Sequence, residues 1–159
     1  MKLQNLGTYE PALAAGFISS FESCRLSAYK CSAGVWTIGY GHTEGVREGG
    51  VCTEEQAKEW LIDDIRETQT LLARYVNVPV SQGEFIALVS LAFNVGVGSL
   101  MKSKLLRKLN AGDRDGAAEE FLDFDLANGK RIEGLTRRRK EEHDLFLVDW
   151  LDDQLPNII

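Results

Sequence analysis

The chain has 159 residues, of which 44% are hydrophobic and 26% charged, and its formal net charge is -6. This length and composition predict one globular domain with a proper core and exclude an intrinsically disordered protein. The acidic balance gives no overall attraction to nucleic acid or to an anionic membrane, so we expect neither as a partner, although basic residues cluster in 102–108 and 137–140.

The first predicted element is an amphipathic helix over residues 11–25, which starts at Pro11 and carries Glu22 in its last turn. Residues 27–52 change to strand character, with short apolar alternation interrupted by glycines. This segment predicts a small β lobe that contains tight turns.

The rest of the chain predicts helices. A capping box at Thr53 starts a long helix over residues 53–76, and a second box at Ser81 starts a helix that is apolar on every side and ends near Asn94. Further helices are predicted at 99–110, at 113–124, and after a turn at Asn128-Gly129, with a short one in the tail. The pattern indicates an α+β fold, mainly α, with a β-hairpin lobe and a helical lobe (77–159 plus 11–25) joined by a long helix.

Glu22 is the first candidate for a catalytic acid. The negative end of a helix dipole and the nearby aromatic residues Phe21, Trp36 and Tyr40 would both keep its carboxyl protonated. The alternative is an ordinary solvated glutamate at a helix end, which is the more common case for a carboxylate.

The residues alone leave the roles of the other candidates open. Thr37 suits a strand for packing reasons, yet its hydroxyl could position a water, and for His42 we favour an orienting role through a hydrogen bond. Cys31 is a small buried residue, half of a disulfide with Cys24, or a functional thiol, and Cys52 is then left over. With two histidines and cysteines that lack metal-site spacing, we expect no metal and no cofactor.

Taken together, these residues resemble the phage lysozymes (endolysins) of glycoside hydrolase family 24. Four separated motifs carry the resemblance in the right order, and together they span residues 17–147: FESCRLSAY, VWTIGYGHT, LAFNVGVGSL and GLTRRRKEEHDLF. The resemblance implies one lysozyme domain over residues 1–159, with peptidoglycan in the cleft between the lobes.

The resemblance also assigns roles. Glu22 matches the catalytic glutamate, Thr37 the active-site threonine, and Arg138 the arginine that pairs with that glutamate, while Asn94 lies in a motif that borders the sugar cleft. The family has an aspartate nine residues after the glutamate, where this chain has Cys31. A subset of endolysins has cysteine at the positions of both Cys24 and Cys31, and there a disulfide holds the catalytic cysteine until thiol exchange frees it.

The implied reaction is hydrolysis of the β-1,4 bond between N-acetylmuramic acid and N-acetylglucosamine during host cell lysis. The alternatives are a lytic transglycosylase that uses Glu22 alone and an inactive relative that binds peptidoglycan. We expect a monomer made in the host cytoplasm that acts on the periplasmic wall. No apolar run reaches the length of a membrane helix, so export would use a holin or an N-terminal anchor outside this sequence.

Overall fold

The computed structural model describes residues 2–127 and 129–154, and the side chains of 127 and 150–154 are outside that description. Its contacts divide the chain into two compact units. We call Pro11–Glu67 the hairpin unit and Met1–Glu10 with Thr68–Ile159 the helical unit. Asn128 of the predicted turn and residues 155–159 of the predicted tail helix lie outside the described residues.

The hairpin unit begins with a 3-10 turn at Pro11–Ala14 that leads into helix α1, Ala15–Ser19. Strand β1, Arg25–Lys30, then pairs antiparallel with β2, Trp36–Gly39. The prediction of one helix over residues 11–25 is therefore wrong at its C-terminal end. Arg25 is already paired with Gly39 in the sheet, and this pairing requires the backbone before it to leave the helical conformation.

Helix α2 runs over Glu54–Ala73, three residues short of its predicted end. The predicted capping box is present, because the Thr53 N–H donates to Gln56 Oε1 at 3.0 Å and the Gln56 N–H donates to Thr53 Oγ1 at 3.1 Å. Within the hairpin unit one stripe of this helix is fully or almost fully buried, at Ala57, Leu61 and Ile65.

The helical unit is built around α3, Gln82–Val95, whose residues 83–92 are all buried, as the apolar pattern predicts. Ser81 caps this helix and Glu84 completes the box, with bonds of 3.1 and 2.9 Å. Its main neighbour is α7, Glu133–Gln154, which starts before the predicted cap at Thr136.

Shorter elements complete the helical unit. The predicted helix at 99–110 is divided into α4, Val97–Leu100, and α5, Lys104–Asn110. Helix α6, Arg114–Glu120, leads through a 3-10 turn at Phe121–Asp123 to a small antiparallel pair of strands, β3 at Leu126–Ala127 and β4 at Lys130–Arg131. The fold is thus α+β and mainly α, as predicted.

Candidate active site

Glu22 lies in the turn between α1 and β1, and its side chain is partly buried. Helix α1 ends at Ser19, so Glu22 is beyond the last helical turn rather than in it. The predicted position of Glu22 in the last helical turn is therefore wrong, and so is the part of the prediction that used the helix dipole.

Cys31 begins the tight turn that joins β1 to β2. The Cys31 N–H donates to the Val35 carbonyl at 3.0 Å, and the Gly34 N–H donates to the Cys31 carbonyl at 2.9 Å. Gly34 has φ +78°, a left-handed conformation that a side chain would disfavour, and a three-residue loop of this type needs it. The turn directs backbone N–H groups towards the thiol.

Those N–H groups change the acidity of Cys31. Hydrogen bonds from the backbone of Val35 and Ala33 lower the pKa of the Cys31 thiol below its usual range. Burial opposes this shift, and the side chain of Thr37 makes a smaller contribution that lowers the pKa. An aspartate in this position would accept the same N–H groups, as Asx turns do. Cys31 therefore occupies a position that favours a negatively charged side chain.

Thr37 lies on β2 opposite Tyr29 and is buried, with 4% of its surface exposed. Its hydroxyl donates to the Val35 carbonyl at 2.9 Å and also interacts with Cys31. Because a hydroxyl has one proton but two lone pairs, a donor to Val35 can still accept a hydrogen bond from a water. The structure thus brings Thr37 and Cys31 together, which spacing alone did not decide.

The three cysteines are free in the structure. Cys24 precedes β1 and Cys31 follows it, so the strand holds them roughly 23 Å apart at about 3.3 Å per residue. Disulfide formation needs α-carbons within about 7 Å. The predicted Cys24–Cys31 pair is therefore not brought together in this conformation. Instead, Cys24 interacts with the Tyr40 side chain, and burial is the main cause of the raised pKa of the Tyr40 hydroxyl.

His42 is held from two sides in the hairpin unit. Its Nδ1 lies 2.9 Å from Asp64 Oδ2, and its ring stacks on Trp60 with 4.8 Å between centroids and 10° between planes. Burial raises the pKa of Asp64, while the bond to His42 opposes that shift. His42 is thus hydrogen-bonded, and its role in orienting the site stays a prediction.

The two side chains that contact His42 were not predicted from the sequence. Trp60 and Asp64 are four residues apart on α2 and therefore lie on the same helix face, where both reach His42. The sequence does show an aspartate beside the apolar stripe of α2, which is a signal for a buried polar contact. It does not show which loop packs against that face of the helix.

Asn94 is in the last turn of α3 and lines a cavity of about 440 Å³ in the helical unit. Phe124 and Leu135 form apolar parts of the wall, and Ser99 and Asp123 add polar groups. A cavity with this mixture of surfaces suits a ligand that has both apolar and hydrogen-bonding parts.

Arg138 is buried in the helical unit, with 4% of its surface exposed. Its Nη2 donates to the Ser90 carbonyl at 3.2 Å and to Ser90 Oγ at 3.3 Å, and its Nε lies 3.5 Å from Glu142 Oε2. Ser90 and Glu142 were not singled out from the sequence. A charged pair at positions i and i+4 of one helix was the only signal for Glu142.

Two features are absent from the part of the chain that the structure describes. Among those residues, no group of three or more histidine, cysteine, aspartate or glutamate side chains is placed to hold a metal ion. Within residues 2–127 and 129–154, no helix has the length and apolarity that crossing a membrane requires.

Comparison with known proteins gives consistent matches. The family model for phage lysozyme matches residues 19–142. An endolysin of Acyrthosiphon pisum secondary endosymbiont phage 1 is 45% identical over 133 residues, which is 81% of this chain and 91% of that protein. An endolysin of Bacillus phage B103 is 44% identical over 134 residues, and these cover 82% of this chain but only 51% of the longer relative.

A solved structure with a similar fold is the muramidase domain of SpmX from Asticaccaulis excentricus. It is 36% identical, has a TM-score of 0.79, and the match covers 84% of this chain and 94% of that domain.

Proposed function

This chain belongs to the phage lysozyme family, and from that premise we propose that it hydrolyses the β-1,4 bond between N-acetylmuramic acid and N-acetylglucosamine, with Glu22 as the general acid. The family makes it a peptidoglycan-degrading glycoside hydrolase. The identity of the cleaved bond, the choice of Glu22 as the acid, and the roles of Cys31 and Thr37 are our proposals. The observation that carries them is the anion-binding turn around Cys31, where the thiol is in contact with Thr37.

The proposed reaction needs one proton donor and one group that accepts a proton from water. Glu22, in its protonated form, gives its proton to the leaving glycosidic oxygen. A water attacks the anomeric carbon, and its proton passes to the Cys31 thiolate. The Thr37 hydroxyl accepts a hydrogen bond from the same water and fixes its direction. No metal or cofactor takes part in any of these steps.

Cys31 suits this task because a thiolate, unlike a thiol, can accept the proton. The lowered pKa of Cys31 increases the fraction that is ionised near neutral pH. A serine at this position would stay protonated, and an aspartate would be ionised. The lowered pKa therefore favours, at this position, the negative charge that the resemblance assigns to a carboxylate.

We further propose that a Cys24–Cys31 disulfide is an inactive, regulated form of the enzyme. Forming that bond is a two-electron oxidation, in which an external disulfide accepts the electrons by thiol–disulfide exchange and is released as two thiols. The bond removes the Cys31 thiolate and, because β1 separates the two sulfurs, also requires the strand to give up its pairing with β2. The turn that supports Cys31 would be lost with it. Reduction by a thiol would then restore both the strand and the Cys31 thiolate that accepts the proton.

The remaining candidates have supporting roles in this proposal. Asn94 and the cavity that it lines would contact peptidoglycan in the helical unit, and His42 would fix the loop after β2. Arg138 would support the acid, as the resemblance implies. We propose that the chain is a monomer, made in the host cytoplasm, which acts on the periplasmic cell wall after export through a holin or by means of an N-terminal anchor.

The test is clearing of chloroform-treated Gram-negative cells by the wild type, Glu22→Gln and Cys31→Ser, with and without a thiol reductant. We expect wild-type clearing that the reductant increases, none by Glu22→Gln, and weak clearing by Cys31→Ser in both conditions. If Cys31→Ser equals the wild type, the thiol has no role and the site reduces to Glu22 and Thr37. Wild type that binds sacculi without clearing them in either condition would favour a binding protein.

A further inference from the structure

A second cysteine of the hairpin unit lies close to Cys24, and the proposed reaction does not use it. Cys52 is in the segment that leads into α2, and its N–H donates to the Leu26 carbonyl of β1 at 2.9 Å. The Ala28 N–H donates to the Gly50 carbonyl at 2.8 Å. The segment before α2 is therefore paired antiparallel with β1, and Cys52 stands opposite Leu26.

This register brings the thiols of Cys24 and Cys52 near each other. Cys24 is two residues from Leu26, and diagonal neighbours of this kind have α-carbons about 7–8 Å apart. Disulfide formation needs a separation of about 7 Å or less, which a small backbone shift would give. The two side chains also interact, because burial raises the pKa of the Cys52 thiol and the Cys24 thiol raises it further. Both cysteines are at least partly exposed to solvent.

Cys31 is a far more distant partner for Cys24. Strand β1 separates the two residues by roughly 23 Å, at about 3.3 Å per residue. A bond to Cys31 requires β1 to leave its pairing with β2, whereas a bond to Cys52 joins two segments that are already paired. In the folded protein, Cys24 is therefore positioned to bond with Cys52.

We propose that Cys24 and Cys52 form a disulfide in the folded enzyme, and that this bond keeps Cys31 free. The inference rests on the proposed function, in which the Cys31 thiolate accepts a proton from water. Cys24 then has two alternative partners. With Cys31 it forms the inactive enzyme, and with Cys52 it forms the active one, so Cys52 decides between the two states.

The bond between Cys24 and Cys52 can form by two chemical routes. From the free thiols, an external disulfide accepts two electrons by exchange and is released as two thiols. From the inactive form, the Cys52 thiolate attacks the Cys24 sulfur, and the bond from Cys24 to Cys31 breaks as the new one forms. The electron pair leaves on the Cys31 sulfur, and the proton that Cys52 lost passes to water. This second route keeps the number of disulfides constant and consumes no outside oxidant or reductant.

The acidities of the thiols favour this direction of exchange. Backbone N–H groups of Val35 and Ala33 lower the pKa of Cys31, whereas burial raises the pKa of Cys52. In thiol–disulfide exchange the more acidic thiol leaves faster, so Cys31 is released and Cys52 is retained. Release also allows β1 to pair again with β2 and the turn at Cys31 to close.

Tryptic peptide mapping of the wild type tests the pairing of the cysteines directly. Trypsin cuts after basic residues, and those at positions 25, 30 and 47 place the three cysteines on separate peptides. The full chain is equilibrated in a buffer of oxidised and reduced glutathione, and free thiols are then blocked with N-ethylmaleimide. We expect the Cys24 and Cys52 peptides to be linked and Cys31 to carry the label. A Cys24–Cys31 link as the main product, or three labelled cysteines, would overturn the inference.

Clearing of purified sacculi in the same glutathione buffer tests the consequence for Cys31. In Cys52→Ser nothing competes with Cys31 for Cys24, so a thiol reductant should raise its clearing rate by about 10- to 100-fold, since a blocked general base can cost about 100-fold. The wild type should rise by a much smaller factor, and Cys24→Ser, the control, should not rise because the cysteine that blocks Cys31 is gone. When fully reduced, Cys52→Ser should clear at the wild-type rate.

Equal stimulation of Cys52→Ser and the wild type by the reductant would overturn the inference. The peptide map uses the wild type alone, so it decides the partner of Cys24 even if a variant does not fold. A fully reduced wild type that does not clear sacculi would overturn the proposed function, and the map would still show whether Cys24 bonds with Cys52.

Discussion

Replacing Cys31 by aspartate should move the pH optimum of the enzyme to more acid values. In the proposed reaction one group must be ionised and Glu22 must be protonated, so the optimum of the bell-shaped profile lies midway between the pKa values of the two groups. The ordinary pKa values are about 8.5 for cysteine and about 3.9 for aspartate, and half of that difference is about 2.3 pH units. The N–H groups of Val35 and Ala33 lower the pKa of Cys31 and would lower that of an aspartate in the same turn, so we expect the optimum to move by about 2 pH units.

The assay is the initial rate of sacculus clearing between about pH 3 and pH 10, a range that brackets the ordinary pKa values of cysteine and aspartate. Cys31→Asn is the control, since it has the shape of aspartate but no ionisable group, and it should be weak at every pH. Iodoacetamide should inactivate the wild type and spare Cys31→Asp. An unchanged optimum in Cys31→Asp, or a Cys31→Asn variant as active as Cys31→Asp, would refute an ionised Cys31 as the proton acceptor.

Three further changes test two residues of the site and one helix cap outside it. Thr37→Val removes the hydroxyl bound to the Val35 carbonyl and should lower the clearing rate by about 10- to 100-fold, while Tm falls by only about 2–4 °C. His42→Leu leaves the Asp64 carboxylate without that partner, and thermal unfolding should show Tm lower by about 3–10 °C at neutral pH. Burial raises the pKa of Asp64 above its unfolded value, so the stabilisation from its protonated form is present at acid pH and lost as pH rises. The difference in Tm between His42→Leu and the wild type should therefore shrink towards pH 4. A difference that stays constant with pH would contradict the pairing of His42 with Asp64. Ser81→Ala should cost about 1 kcal/mol through the lost helix cap and leave the clearing rate unchanged.

Local signals in the sequence predicted much of the helical structure. The boxes at Thr53 and Ser81 mark the starts of α2 and α3 correctly, because capping depends on residues only three positions apart. The end of the first helix was placed too late, because its apolar spacing continues to Phe21. The pairing of Arg25 with Gly39 ends helical structure before that point, and a partner fourteen residues away is invisible to a local pattern.

In the candidate site, too, some features could be predicted from local sequence and others could not. Glu22, Thr37 and Cys31 stand in one short segment and were selected from the sequence with the help of family motifs. The contact of Cys31 with the N–H groups of its own turn depends on backbone geometry, which residue spacing does not give. Asp64 and Glu142 act through contacts to residues on other elements or across a helix face, so neither could be assigned a partner before the fold was known.

The central claim is that Glu22 drives hydrolysis of the glycosidic bond, and the most direct measurement is mass spectrometry of the muropeptides released from purified sacculi. We expect the reduced wild type to release fragments in which each cleaved bond has gained one water, and Glu22→Gln to release none. Fragments that end in an anhydro sugar, with no water gained, would contradict hydrolysis and identify a transglycosylase. Equal release by Glu22→Gln would contradict the assignment of the acid.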